Sequence, residues 1–535
     1  MKYLALIRIL LICVCIDGCS KPTTSTKYQN TLLVDIGGEG ASIDPARAEN
    51  GQELRVVNDL FAGLIDFDQS NRPILGMADK YTISSDGKTY TFYLRQNLKF
   101  SDGTPITAAD FVYSWQRLVN PKTGSTYNFL LANVVNAQEI IDGKLPSTAL
   151  GVQAIGKYIF QVKLNHPMSE FLTYITAPAV FVVPKHVIDK YQESWTNPKN
   201  IVTSGAYILK EHVINGHMLA IKNMNYYNES MVHIQQVKYF PFFNSNVGIA
   251  SYETGGLDTT WQNVPVDKFN SLKQKYQHEL HVFTWERTNF IEFNMRNPKY
   301  KNNPKLRQAL SMAIDRQVLA YKVLRSGQIP LYSVVTPTIE NGKYKNSGYS
   351  WQTLSTDKRN KLAQELYQQA GFNSNKPLKV TISFFNNDIN KKTAIAIAAM
   401  WKQVLGVEVE LVNQELKAWQ VSGSNGDFDL RMSTWGADYN FVTTYTPSYL
   451  CNNGNNHSGY CNPEYDKLIK QASIETNLEH QKQIYLTAIN IVNNDYPVIP
   501  FIEPAHQRLV KPRVKGYKIE DNYLDNVQSK WFFLQ

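Results

Sequence analysis

The stretch from Leu378 to Gln414 constrains this chain more than any other. LKVTISFF (378–385) has the β-branched and aromatic make-up of a strand. NKKTAIAIAAMWKQVLG (390–406) carries apolar residues at helical spacing and ends on the glycine that closes many helices. VEVELVNQ (407–414) is strand-like again. A strand, a helix and a strand joined by so short an exit form a βαβ unit, which forces a parallel pair and a right-handed crossover. An α/β fold is the expectation.

The surrounding sequence continues the alternation. A helix is expected over 304–324, with Leu306, Leu310, Ala313 and Ile314 facing in, and another over 357–372, stopped by Gly371. A helix over 480–494 leads into a strand over 496–503. Nearer the start, TLLVDIG (31–37) reads as a strand, and Leu54, Val57, Asn58, Phe61 and Leu64 recur at helical spacing. Tyr90, Phe92 and Leu94 alternate as in a half-buried strand, and Ser101-Asp102-Gly103 turns the chain. Thr107 and Asp110 then open a helix as a capping box. With 535 residues the chain exceeds one ordinary core, so two or three domains are expected.

The N-terminus points to export. Lys2 and Arg8 flank an apolar run, Ile9 to Ile16, too short to span a bilayer, and Gly18-Cys19 follows. Residues 1–19 read as a signal peptide whose Cys19 looks like the lipidated residue of a bacterial lipoprotein. Asp17 departs from the usual small residue, so cleavage without lipid is the alternative. Residues 20–30 form a polar tether. Outside the leader only Cys451 and Cys461 remain, bracketing a Gly/Asn-rich loop, and a disulfide is the simplest reading in an exported protein. His457 alone does not complete a metal site, so neither metal nor cofactor is expected.

Composition and motifs narrow the function. The net charge of +9 is spread without a Lys/Arg block, which argues against nucleic acid. There is no HExxH and no P-loop; Ser204 lacks the glycine of a nucleophile elbow, and GGEGAS (37–42) does not complete a dinucleotide fingerprint. An enzyme is not the expectation. The 31 tyrosines suit a binding surface, although large globular chains also bury many.

Four phrases then converge: YTFYLRQNLKFSDGTPITAADFVYSWQRLV (90–119), NIVTSGAYILKEHVINGH (200–217), KLRQALSMAIDRQVL (305–319) and WGADYN (435–440). In this order and spacing the chain resembles the oligopeptide-binding proteins of bacterial ABC importers, solute-binding protein family 5, from about residue 30 to the C-terminus. The resemblance implies a periplasmic-binding-protein-like α/β fold of the large type II, cluster C class, with two hinged lobes and an additional domain. Lobe I would comprise 20–61, 186–286 and 504–535, the extra domain 62–185, and lobe II 287–503. The implied function is capture of oligopeptides in a closing cleft by a monomer in the periplasm or cell envelope, for delivery to a membrane permease. An exported hydrolase, or a binder of non-peptide or murein-derived ligands, is the alternative.

The resemblance also implies residues. A peptide enclosed in a cleft needs partners for its backbone and a counter-charge for its ammonium. Asp438 matches the family acid that holds the ammonium. Glu49 matches an acid at the peptide backbone and Tyr127 a pocket tyrosine, while Trp261, Trp285, Phe290 and Trp435 fall where aromatics line the cleft. Where the family fastens the peptide's carboxylate with Arg or His, this chain has Asn390, Gly423 and Met432. Leu416 replaces a pocket tryptophan, with Trp419 three residues on, and Arg431 is expected to face away from Met432. A cysteine pair of the family is replaced by Arg287 and Gly436, and Arg287 is the candidate substitute for the missing clamp.

Overall fold

The computed structural model describes residues 29–518 and 522–535. The signal peptide, Cys19 and the tether up to Tyr28 lie outside them. Among the described residues, no helix is long and apolar enough to cross a membrane.

Three sheets organise the chain. The first runs Thr31–Asp35, Gln236–Phe240, His217–Lys222, Tyr207–Val213, parallel at its first pairing and antiparallel after it. The second is an antiparallel set, Ala78–Ile83, Thr89–Leu94, Ile159–Lys163, Val152–Ile155. In it Tyr90, Phe92 and Leu94 face the core as their alternation requires. The third has six strands in the order Ile329–Pro330, Val498–Glu503, Arg287–Phe293, Leu430–Gly436, Lys379–Phe385, Glu408–Gln414.

The βαβ unit is present in that third sheet. Lys379–Phe385 pairs parallel with Glu408–Gln414, and helix Asp388–Leu405 crosses between them. Gly406 ends the helix at φ +75°, a left-handed conformation that costs a glycine little. Buried Ala394, Ile397, Trp401 and Leu405 form the inward stripe, and Trp401 donates its indole N–H to the carbonyl of Leu310 at 2.8 Å.

Two expected helices are shorter than the spacing suggests. The first, Gly51–Leu60, stops before Phe61, which is extended, although Phe61 and Leu64 are buried in the same core. The stretch 304–324 is broken: helix Pro304–Met312 ends, and Asp315 caps a new start by accepting from the N–H of Val318 at 2.9 Å. Burial of Arg316 accounts for the break. Its guanidinium reaches the carbonyls of Leu331, Pro500 and Ser311 beneath Tyr332 and Trp351. A continuous helix would carry that side chain elsewhere.

One core joins the first two sheets, and a second fills the segment 290–502. The chain passes between these halves twice, side by side. Leu280–Thr284 pairs antiparallel with Ala505–Leu509, and beyond the passage Arg287–Phe293 pairs antiparallel with Val498–Glu503. Pro504 interrupts the ladder between them, accepting from the N–H of Trp285 at 3.1 Å. Glu286 and Glu503 are fully buried at this passage. Cys451 and Cys461 are bonded, their Cα atoms 4.3 Å apart.

Candidate functional site

The site is built along one strand. Leu430–Gly436 pairs with Arg287–Phe293 over its whole length, from Phe293 opposite Leu430 to Arg287 opposite Gly436. On its other side it meets Lys379–Phe385 only at Leu430 and Arg431. Met432 to Gly436 therefore have a strand partner on one side only, and unpaired backbone groups there form an edge that another extended chain can join. The edge runs between two cavities, one lined by Ser433 to Trp435 and the other by Gly436 to Asn440.

The cavity at the Gly436 end, about 510 Å³, is walled by both halves of the molecule. Asp438 projects into it, with no hydrogen bond or ion pair on its carboxylate among the described residues; its backbone N–H donates to Thr444 Oγ1 at 3.0 Å. The carboxylate is open to water within the cleft. The surrounding walls nevertheless desolvate it and push it up to about 6, against the pull of Arg287. Arg287 lies on the adjacent strand with its guanidinium 3.6 Å from the ring centre of Trp285. Burial draws it down to about 10, which leaves it charged at neutral pH. The His506 ring covers Trp285 at 4.1 Å, held neutral by burial and by Arg508 and Arg287.

The opposite wall is set by the start of helix Gly51–Leu60. Asn50 caps it, and Glu53 closes the capping box while also accepting the N–H groups of Glu49 (2.6 Å) and Ser42 (3.0 Å). That bracing presents Glu49 to the cavity. Its carboxylate accepts from Thr126 Oγ1 at 3.0 Å, and its carbonyl accepts from the Tyr127 hydroxyl at 3.3 Å. Trp261 lies against Gly37, where a Cβ would sit 2.1 Å from the indole, so a larger residue there would displace the ring. Arg508 is 4.9 Å from its centre. At the mouth, Tyr174 and Tyr439 meet across the two halves, hydroxyls 2.6 Å apart.

The second cavity, about 420 Å³, lies at the other end of the edge. Arg431 lines it, stacked 3.8 Å from the ring centre of Trp419 and paired with Glu292 at 3.2 Å. It also donates to His457 Nδ1 at 3.1 Å, an acceptor role that requires a neutral imidazole. Burial raises Glu292 to about 7, with Arg431 opposing. Gly423 leaves the room: a Cβ there would stand 2.1 Å from the guanidinium.

The structure brings Asp438, Glu49, Tyr127, Trp261 and Trp285 together in the first cavity. Trp435 and Phe290 line the second, Trp435 donating to the carbonyl of Thr444 at 2.7 Å. Met432 is buried in the core and Leu416 is exposed, and neither lines either cavity, while Asn390 donates to the carbonyl of Phe385 at 3.1 Å. Sequence reasoning missed the cluster of Arg431, Glu292 and His457. Its signal is the cross-strand register that sets Glu292 opposite Arg431, and no local pattern encodes it. Among the described residues, no group of three or more His, Cys, Asp or Glu could hold a metal ion.

Residues 72–457 match the family model described as bacterial extracellular solute-binding proteins, family 5 Middle. The chain is 37% identical over 508 residues to the periplasmic oligopeptide-binding protein OppA of Salmonella typhimurium, covering 95% of this chain and 93% of the relative. Among solved structures, the unliganded open form of the murein tripeptide-binding protein MppA superposes with a TM-score of 0.82 at 33% identity, covering 95% of this chain and 98% of that one. Haemophilus influenzae OppA in complex with the peptide RPPGFSPFR gives 0.79 at 33% identity, over 95% and 99%.

Proposed function

We propose that this chain captures peptides for import, on the premise that it belongs to the bacterial extracellular solute-binding proteins of family 5. It is a periplasmic peptide-binding protein serving an ABC importer, and binding rather than catalysis is its work. The observation that carries this reading is the free strand edge Met432–Gly436, which ends two residues before the unpaired carboxylate of Asp438.

A peptide lying on that edge satisfies its backbone by strand pairing, which ignores side-chain identity. Its ammonium then falls beside Asp438, whose charge offsets the cost of enclosing a cation. Tyr127, Trp261 and Trp285, with Glu49, wall the side-chain space near that end. Trp435 and Phe290 wall the space further along, beside Arg431, whose charge Glu292 already answers. Closure follows from the paired passages near residues 286 and 503, between a lobe of segments 20–61, 186–286 and 504–535 and a lobe of 287–503, with 62–185 as the additional domain. Cleavage and lipidation at Cys19 would anchor the protein in the envelope beside its permease, and it acts as a monomer.

Native mass spectrometry of the leaderless protein, purified gently from a bacterial host, tests the reading. A mixed population of bound peptides is expected. A bare protein that also ignores an added peptide library overturns it.

A further inference from the structure

Arg287 and Asp438 bring opposite charges into one cavity, and among the described residues neither is paired. The guanidinium takes part in no hydrogen bond or ion pair among the described residues, and its Nε is shut off from water without an acceptor. An enclosed guanidinium ordinarily finds an anion, because an unsatisfied buried charge is costly. Here one face is covered by Trp285, and the tip rests over Gly436, where a Cβ would stand 3.0 Å from Nη2. Trp285 and Gly436 bound the guanidinium on two sides, and Arg287 lines the cavity with the rest. A planar fork held in this way suits a carboxylate.

Asp438 is not the partner that satisfies it. The two attract through space, yet no ion pair forms, and Asp438 remains open to water in the cleft. The cavity thus offers an anion and a cation side by side, a complement to a ligand that bears both signs at one end. Distance decides which ligand carboxylate can answer. An extended chain advances about 3.3 Å per residue, so the terminal carboxylate of a tetrapeptide lies roughly 10 Å or more from its ammonium. Arg287, over Gly436 and next to Asp438, is at the ammonium end. It is therefore badly placed to clamp a distant C-terminus and well placed for a side chain near the start.

We propose that Arg287 is a specificity-determining residue that binds a carboxylate on the first or second residue of the peptide, so that the protein selects ligands with an acidic N-terminal end. This rests on the peptide-binding reading above and adds a ligand class to it.

The test is titration calorimetry with four unblocked tetrapeptides: Glu-Ala-Ala-Ala against Gln-Ala-Ala-Ala, and Ala-Glu-Ala-Ala against Ala-Gln-Ala-Ala. Each is measured on the wild-type protein, Arg287→Gln and Arg287→Lys. In one of the two pairs the wild type is expected to prefer the acidic peptide by roughly tenfold or more, the scale of a charge-assisted hydrogen bond. That ratio should fall to near one in Arg287→Gln and be partly kept in Arg287→Lys. Were Arg287 a mere wall residue, its removal would weaken acidic and neutral peptides alike and preserve the ratio, which overturns the proposal. Binding of all four by the wild type without preference also overturns it while leaving the peptide reading intact. If the wild type binds none of the four, nor a longer peptide library, both fall together.

Discussion

Two arginines on neighbouring strands of one sheet are each stacked on a tryptophan and each packed over a glycine, and they differ in what stands opposite. Arg431 faces Glu292 at 3.2 Å and His457 at 3.1 Å, so its charge is answered inside the protein. Arg287 faces open cavity, with Asp438 near but unbonded. The first arrangement is an internal strut; the second holds charge in reserve for a ligand. Similar side-chain geometry serves packing in one cavity and recognition in the other, and the partner decides which.

The largest effect expected from this contrast is on stability. Glu292→Ala strands the Arg431 charge in a buried setting and should cost about 3–5 kcal/mol in denaturant unfolding. Arg287→Ala removes a charge that has no partner among the described residues and should cost less than about 1 kcal/mol. Equal losses in the two variants would erase the distinction.

Asp438→Ala should leave the fold as stable as wild type and weaken binding of unblocked peptides by about 2–5 kcal/mol, since it removes the counter-charge of an enclosed ammonium. Calorimetry that returned the wild-type affinity would remove Asp438 from the site.

The pH dependences should have opposite signs. Burial raises Asp438 to about 6, and the ammonium needs the ionised form, so peptide affinity should fall as pH drops below about 6. Binding near that pH should release a proton, detectable by comparing buffers of different ionisation heat. Glu286, buried without a cationic partner among the described residues, is raised to about 7 from 4.5. A raised carboxylate disfavours the folded state only when ionised. That penalty is absent below about 4.5 and grows as pH rises through about 7, so stability falls across this window. Glu286→Gln should flatten the slope, and an unchanged slope would locate the titration elsewhere.

A smaller effect separates the two glycines. Gly423→Ala drives a methyl into a guanidinium held by Glu292 and His457, and should cost about 1–3 kcal/mol. Gly436→Ala brings its methyl only to 3.0 Å from the Arg287 guanidinium, and should cost less than about 1 kcal/mol. Thermal melts of the pair would show it.

Local pattern carried much of the architecture. The βαβ unit over 378–414 could be read because its helix has a full apolar stripe and a glycine stop. The break near Asp315 could not, since it follows from Arg316 reaching carbonyls as far away as Pro500. The site divides the same way. Asp438, Glu49, Tyr127, Trp261 and Trp285 are implied by the family resemblance and do share a cavity, whereas strand parity alone sets Arg431 aside. Parity was right that Met432 and Arg431 face apart; it could not say which of them meets the cavity. That depends on a register between strands about 140 residues apart, where Glu292 answers Arg431.

On the proposed reading, Asp438 holds the peptide's ammonium. The most direct measurement is the affinity of one peptide with a free and with an acetylated N-terminus, on the wild type and on Asp438→Asn. Acetylation should weaken wild-type binding by roughly a hundredfold and matter little once Asp438 is neutralised. Equal affinity of the two peptides for the wild type would contradict the assignment.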